Sequence, residues 1–323
     1  MELAKLENQA IAETNQEAAF RTFKALAIEM TTRGLESNHS RLAYDRAITD
    51  FFLWYEGQGR PELRLMLLES YRDFLKEALG KGAANINQRL SAIRRMIRRA
   101  AANNLISETA ARSAASVEGV SQPGRSVGKW LTKGQAEAFL RALPRETITE
   151  KRDFALISLA LSSGLRRSEI ASLTLNHIQQ VESRWALLGL VGKRNKIRDV
   201  PITAWAKAAL EDWIGAAGIT EGRIFRPINK GGKLNGKRIT PEAIRQSVDR
   251  AIKAANEAGA GVPAIACHDL RRTFAQLARK GGSPLEQISK SLGHSSISTT
   301  QIYLGNDQDF TNAPADCLGL NWQ

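Results

Sequence analysis

Apolar residues recur at helical spacing along most of this chain, and only one stretch has the pattern of strands. Residues 184–191 and 197–202 read as two short strands around the turn 192–196. Residues 154–162 are apolar on nearly every face, which indicates a buried central helix that Gly164 can end. Further helices are predicted at 15–104, 204–216, 241–258 and 268–280. The sequence therefore predicts a mainly α fold with a small β-sheet.

A small, polar segment at residues 113–128 interrupts these helices. It contains Pro123 and Gly124 and has the composition of an extended linker. The chain has 323 residues, enough for two domains that each have a core. We predict a helical N-terminal domain at residues 1–112 and a second domain at 129–323 that ends in a short tail.

The charge balance indicates a polyanionic partner. Lys and Arg outnumber Asp and Glu by 46 to 33, which gives a formal net charge of +13. Cations placed on phosphates release condensed counterions, so nucleic acid is the expected partner, although RNA and membrane surfaces fit the charge as well. No stretch has the length and apolarity of a membrane span, and the first 20 residues lack a secretory signal. We expect a cytoplasmic protein that does not enter a membrane.

Neither cofactor nor metal is expected from the sequence. The two cysteines, Cys267 and Cys317, are too few for a disulfide framework. No Cys or His cluster has the spacing of metal ligands, and no set of carboxylates suggests a metal nuclease.

One predicted helix carries arginines without interleaved carboxylates. On residues 85–104 the apolar residues form a single stripe, and the other faces hold Arg94, Arg95, Arg98 and Arg99. A solvated surface is the alternative, but surface helices normally mix the two signs of charge. We predict that these arginines contact DNA phosphates, together with Arg194 and Lys196 of the turn 192–196.

Three segments of the second domain, residues 162–170, 268–272 and 292–303, hold the residue types that phosphoryl transfer requires. The phosphorus under attack gathers negative charge on its oxygens, and a planar guanidinium can donate two parallel hydrogen bonds to them. Arg166 and Arg271 are the candidates. His268 lies three residues before Arg271 on the same predicted helix face, and His294 follows a predicted helix end.

Tyr303 is the candidate nucleophile of this group. Its phenol can attack a phosphodiester and store the bond energy as a phosphotyrosine ester, so religation needs no ATP. A lysine of the turn can protonate the leaving sugar oxygen, with Lys193 as the first choice and Lys196 as the second. Glu169 can orient Arg166 or a histidine by hydrogen bonding.

At these residues the sequence resembles the tyrosine recombinase (phage integrase) family. The segment 164–169 (GLRRSE) resembles the family's first arginine box, and 268–271 (HDLR) matches its second. The residues 292–294 (LGH) and 299–303 (TTQIY) match the third, and 192–196 (GKRNK) is similar to the hairpin that carries the family's lysine. The likeness covers about 125–305 with specific motifs, whereas over 15–110 it consists only of helix count and size.

The resemblance implies a helical core-binding domain and a tyrosine-recombinase catalytic domain that clamp a double-stranded recombination site. It also implies metal-free chemistry through a 3′-phosphotyrosyl bond, and a homotetramer that joins two sites through a Holliday junction. In the family, tails such as the one after Tyr303 dock on a neighbouring protomer, and we expect the same here rather than packing in cis. The motifs identify no accessory protein.

Two other functions share parts of this pattern. A type IB topoisomerase-like enzyme uses the same residue types to relax DNA without pairing sites, although the compact linker and tail favour a recombinase. A catalytically silent DNA-binding protein would have the same positive net charge. Its DNA binding would be unaltered by a change of Tyr303 to Phe.

Overall fold

The computed structural model describes residues 2–121, 128–192 and 196–305, without the side chains of residues 2–16. The chain divides into two compact units, Met1–Arg125 and Ser126–Gln323. The described residues form mostly helices and one three-stranded antiparallel sheet, which confirms the predicted fold class.

The first unit is helical throughout its described part. Its α-helices are α1 (Glu2–Thr32), α2 (Asn38–Gly57), α3 (Leu65–Asp73), α4 (Ala83–Ala102) and α5 (Glu108–Ala115). A π-helical turn, Phe74–Ala78, continues α3. Aromatic rings from α2 and α3 fill the core, where the Phe51 and Tyr71 rings meet edge to face with centroids 5.1 Å apart. Such edge-to-face pairs stabilise a core beyond the area they bury.

Helix α4 packs its apolar stripe into this core. The stripe predicted from the sequence is buried along its full length, with no member more than 2% exposed: Ile86, Leu90, Ile93, Ile97 and Ala100. Burial of such a stripe is the main source of stability for an amphipathic helix. The arginines of α4 are thereby placed on its other faces.

The second unit contains eight described α-helices and the sheet. The helices are α6 (Lys133–Ala142), α7 (Ile148–Ser163), α8 (Arg167–Ser172), α9 (Ala204–Ala216), α10 (Pro241–Glu257), α11 (Cys267–Lys280), α12 (Leu285–Leu292) and α13 (Ile297–Leu304). The strands are β1 (Ile178–Val181), β2 (Arg184–Val191) and β3 (Ile197–Pro201). A 3₁₀ turn, Leu175–His177, precedes β1.

Helix α7 is the centre of the second core, as its apolar sequence predicts. Leu156, Ile157 and Leu159 point in different directions from the helix and are all 0% exposed. Helices α9, α10 and α11 pack around it. Trp213 of α9 is also fully buried, and its indole N–H donates to the carbonyl of Ile224 at 3.0 Å. A buried indole that has a hydrogen-bond partner contributes its large apolar area without leaving an unpaired donor.

The sheet has the order β1-β2-β3, with antiparallel pairs throughout. Leu187 of β2 lies opposite both Ile178 of β1 and Val200 of β3, and Leu187 and Val200 are buried. The register of the β2–β3 pair shifts between Leu187 and Leu190. There Gly189 has a φ of +70°, and its N–H donates to the Asp199 carboxylate at 2.8 Å.

Local structure differs from the sequence prediction at three places. Strand β1 adds a third strand to the predicted hairpin. Helix α5 extends to Ala115, so the first three residues of the predicted linker are helical. The segment 165–175 (LRRSEIASLTL) has the pattern of one helix, but α8 ends at Ser172, and the carbonyl of Leu173 accepts a hydrogen bond from the Ile224 N–H at 3.0 Å.

Candidate active site

The end of helix α7 places Arg166 at the surface of the second unit, with the buried Glu169 beside it. Gly164 takes a left-handed φ of +61°, and a Cβ there would lie 2.4 Å from Cδ1 of Phe274. Only glycine suits both the conformation and the contact. Arg166 then caps α8, and Glu169 accepts its backbone N–H at 2.8 Å and its Nη1 at 2.9 Å. Glu169 thus contacts Arg166 directly, and its role in orienting that arginine for catalysis stays a prediction.

Glu169 has a second arginine partner, Arg198, which was not among the predicted site residues. Arg198 of β3 donates from Nη1 to Oε1 at 3.0 Å and from Nη2 to Oε2 at 2.8 Å. Burial opposes ionisation of Glu169, but the hydrogen bonds from Arg198 and from the Arg166 backbone outweigh it and hold the pKa below its ordinary value. Arg198 shares a strand face with buried Val200, so a charge at a core-facing position was the available signal.

Arg271 of α11 links the three motif segments. Its guanidinium is almost fully buried and donates to the carbonyls of Gly164 at 2.7 Å and Leu292 at 2.5 Å. Its Nη2 also lies 3.3 Å from Nε2 of His294. Burial, with Arg166 nearby, lowers the pKa of Arg271 to about 10, so it remains a cation at neutral pH. The predicted guanidinium pair therefore lies at one site, with Arg166 the more exposed member.

His294 is held as a neutral imidazole. It follows Gly293, which ends α12 with a left-handed φ of +64°. Because Arg271 can only donate, Nε2 of His294 accepts, which assigns the proton to Nδ1, 2.9 Å from the Thr300 hydroxyl. Burial and the charges of Arg271, Arg166 and Arg198 lower the pKa of His294 to about 4.

The Tyr303 phenol lies between the two histidines. Its oxygen is 3.5 Å from Nε2 of His268, and its ring meets the rings of His268 and His294 edge to face, with centroids 5.8 and 5.4 Å apart. Burial raises the pKa of Tyr303 although Arg271 and Arg272 oppose the shift. Burial and the same two arginines lower the pKa of His268. A protonated phenol thus faces a neutral imidazole, which is the arrangement that general-base catalysis requires.

Arg272 also belongs to this cluster and was not predicted. Its Cζ lies 5.1 Å from the centroid of the Tyr303 ring, and it pairs with Asp269 at 3.6 Å. The cluster holds four arginines and two carboxylates, which leaves an excess of two positive charges. The arginines are Arg166, Arg198, Arg271 and Arg272, and the carboxylates are Glu169 and Asp269. Such an excess suits a phosphodiester whose charge grows during attack.

A groove of ≈ 450 Å³ opens beside these residues. Its lining includes Arg166, Arg167, Arg245, Cys267 and His268. Burial raises the pKa of the Cys267 thiol to about 11, so this cysteine is a neutral part of the wall. The groove combines cations with apolar surface and leads to Arg166 and His268.

The turn that carries the candidate general acids is described only in part. Lys193 and Arg194 lie outside the described residues, as do Cys317 and the tail beyond Gly305. Lys196 is exposed, and its carbonyl accepts the Gly192 N–H at 2.8 Å, which closes the base of the turn.

The four arginines of α4 fall into two groups. Arg94 donates to the carbonyl of Val117, and Arg95 donates to those of Thr31 at 2.9 Å and Arg33 at 3.1 Å. Both are half-buried, so their guanidinium groups are engaged within the first unit. Arg98 and Arg99 are exposed. A role in binding DNA stays a prediction for all four, and the second pair is better placed for it.

Two features are absent from the described residues. No helix there combines the length and apolarity needed to cross a bilayer. Nor do three or more His, Cys, Asp or Glu side chains of these ranges meet in a group that could hold a metal ion.

Known proteins resemble the chain in sequence and in fold. The XerC tyrosine recombinase of Pseudomonas putida (strain W619) is 28% identical over 288 residues, 88% of this chain and 90% of the relative. The XerC of Corynebacterium efficiens is 30% identical over 249 residues, 75% of this chain and 74% of the relative.

Two solved structures share the fold. The XerH recombinase bound to palindromic difH substrate has a TM-score of 0.65 at 18% identity, over 83% of this chain and 76% of that one. The Tn1549 transposon integrase in complex with circular intermediate DNA has a TM-score of 0.64 at 18% identity, over 90% and 98%. The phage integrase family model matches residues 129–309, more than half of the chain. The chain therefore belongs to the phage integrase family of tyrosine recombinases, which are DNA strand-transferring enzymes.

Proposed function

We propose that this chain is a site-specific recombinase that cleaves and rejoins duplex DNA with Tyr303 as its nucleophile. The intermediate is a 3′-phosphotyrosyl ester. The observation that carries the proposal is the position of the Tyr303 phenol, which lies 3.5 Å from His268 and beside the arginine that links all three motif segments. A tyrosine that only packed the core would not need this cationic, histidine-flanked setting.

In the cleavage step the phenol oxygen of Tyr303 attacks the phosphorus. His268, neutral because burial and neighbouring arginines depress its pKa, accepts the phenolic proton. Arg166 and Arg271 donate to the non-bridging oxygens, whose negative charge increases in the transition state. His294 holds Arg271 in place, because its Nε2 accepts from Nη2 of that arginine.

The bond that breaks joins phosphorus to the 5′ oxygen of the next nucleotide. That oxygen leaves as a hydroxyl, with its proton supplied by Lys193 or, as the second choice, Lys196. Religation reverses the step: a 5′ hydroxyl attacks the phosphotyrosine and the phenol takes back a proton. One phosphoester replaces another at each stage, so the cycle needs no ATP. The family resemblance implies that it also needs no metal ion.

The wider assembly follows from the family resemblance. Four protomers bind two recombination sites and exchange strands through a Holliday junction, with each tail docked on a neighbour. The first unit serves as the core-binding domain, and Arg98 and Arg99 of α4 contact phosphates. Relatives crystallised with recombination-site DNA support duplex DNA as the partner. We place this activity in the cytoplasm.

The test uses a nicked duplex, on which cleavage traps the covalent intermediate because the short leaving strand diffuses away. The duplex is selected by binding of the Tyr303→Phe variant to a pool of 60-base-pair DNAs with random centres. We expect the wild-type protein, but not Tyr303→Phe, to give a protein–DNA band that survives SDS and forms in EDTA. The matched control is Tyr44→Phe, which removes the hydroxyl of a half-buried tyrosine in α2. We expect this variant to keep the band.

Other outcomes would favour the alternative functions. Binding without any covalent band would indicate a silent DNA-binding protein. Efficient relaxation of a supercoiled plasmid that lacks the selected site would indicate a topoisomerase-like enzyme. A band that requires a divalent cation would contradict the metal-free mechanism.

A further inference from the structure

Arg198 lies at the meeting point of the three elements that hold the active site. Its side chain is only 9% exposed, and it extends from β3 toward α8 and α12. Two of its N–H groups donate to the two oxygens of Glu169, and its Nε–H donates to the carbonyl of Ser291 at 2.9 Å. A planar guanidinium is the side chain whose fixed donors match these three acceptors at once.

The contact between Arg198 and Glu169 determines how much of the positive charge of Arg166 is available to a phosphate. Each oxygen of Glu169 accepts one bond from Arg166 and one from Arg198. Arg198 is almost buried and neutralises the carboxylate, whereas 29% of the Arg166 side chain is exposed. The charge of Arg166 is therefore left uncompensated at the surface. Without Arg198, the buried carboxylate would hold Arg166 as its sole cation and weaken its contact with a phosphate.

The contact with Ser291 connects the same arginine to His294. Ser291 is in the last turn of α12, where carbonyls have no partner within the helix. Arg198 caps this carbonyl as Arg271 caps the next one, from Leu292. A Cβ at Gly293 would lie 3.0 Å from Cδ of Arg198, so the chain turns directly against the arginine before His294.

Arg198 is also close in sequence to the candidate general acids. It follows Lys196 by two residues and Lys193 by five, and the Gly192–Lys196 hydrogen bond closes the turn just before it. Its three hydrogen bonds therefore fix the base of the lysine-bearing turn against α8 and α12. We propose that Arg198 is a positioning residue that neutralises Glu169, leaves Arg166 available to the phosphate, and joins the lysine turn to the His294 segment before DNA binds.

The inference relies on the proposed cleavage by Tyr303, and its test measures the rate of the SDS-stable band on the selected nicked duplex. At protein concentrations that saturate the duplex, we expect Arg198→Met to form the band about 100-fold more slowly, the effect typical of a small misplacement of reacting groups. Adding Glu169→Gln removes the carboxylate charge that would otherwise be held by Arg166 alone. The double variant should therefore recover about 10-fold of the rate, whereas a purely structural defect would deepen.

The outcomes separate the inference from the proposed function. If the wild-type protein forms no band, the cleavage proposal itself fails. If the wild-type protein forms the band and Arg198→Met matches its rate, or if Glu169→Gln gives no recovery, the role of Arg198 is wrong. Should Arg198→Met not fold, Arg198→Lys decides instead, because one ammonium cannot serve all three acceptors. We expect it to be about 10-fold slower, and a wild-type rate would overturn the inference.

Discussion

Replacement of His294 by glutamine should change how the stability of the second unit depends on pH. In the folded chain the pKa of His294 lies at about 4, against an ordinary value of 6.5, because of burial and the charges of Arg271, Arg166 and Arg198. Below pH 6.5 the unfolded chain therefore binds a proton that the folded chain does not. The free energy of unfolding falls as the pH is lowered from about 7 to 4.

The magnitude follows from the two pKa values. Between pH 7.5 and 5.0 the full shift would remove about 2 kcal/mol. His294 is half-buried, so solvent screening reduces this to about 1 kcal/mol. For a unit of this size, 1 kcal/mol changes the melting temperature by about 2–4 °C. Wild type should lose about 3 °C more than His294→Gln between these pH values.

Thermal melts followed by tryptophan fluorescence measure this difference. Of the six tryptophans only Trp54 is in the first unit, so the signal reports mainly on the second. The matched control is His39→Gln, which replaces an exposed histidine in α2. Its melting temperature should fall between the two pH values by as much as that of the wild type. If His294→Gln shows the same pH dependence as the wild type, the histidine is not held neutral by its arginine neighbours.

Two further changes test the fold and the DNA surface. Gly164→Ala should cost about 2–4 kcal/mol in a denaturant melt, because it adds left-handed strain and a contact with Phe274; Gly215→Ala in α9 meets nothing within 4 Å and should be neutral or stabilising. The double change of Arg98 and Arg99 to alanine should lower the slope of log affinity against log salt by about 2, read by fluorescence anisotropy. Arg112→Ala removes an exposed arginine paired with Glu108 and should leave that slope unchanged.

Local signals in the sequence predicted the elements that carry the site. The end of α7 at Gly164, the start of α10 at Pro241 and the bounds of α9 were all predicted from short-range chemistry. Strand β1 could not be predicted in the same way. It has four residues, and its turn to β2 uses Glu182 and Ser183 with φ of +47° and +66° instead of the usual glycine or asparagine.

The contacts between segments far apart in the chain could not be predicted from the sequence. The spacing of His268 and Arg271 placed both on one helix face, but the Arg198–Glu169 pair joins residues 29 positions apart. Arg95 donates to a carbonyl 64 residues away, so the sequence could not tell an internally bonded arginine from one that faces solvent. Such pairings depend on how helices pack, and composition and periodicity do not encode them locally.

The covalent bond at Tyr303 can be tested by peptide mapping of the trapped complex. No Lys or Arg follows Lys290, so trypsin releases residues 291–323 as one peptide, in which Tyr303 is the sole tyrosine. After nuclease trimming of the DNA, we expect mass spectrometry to find the residual nucleotide on this peptide and fragmentation to place it on Tyr303. A nucleotide on another residue, or a trapped complex with unmodified Tyr303, would contradict nucleophilic attack by the phenol.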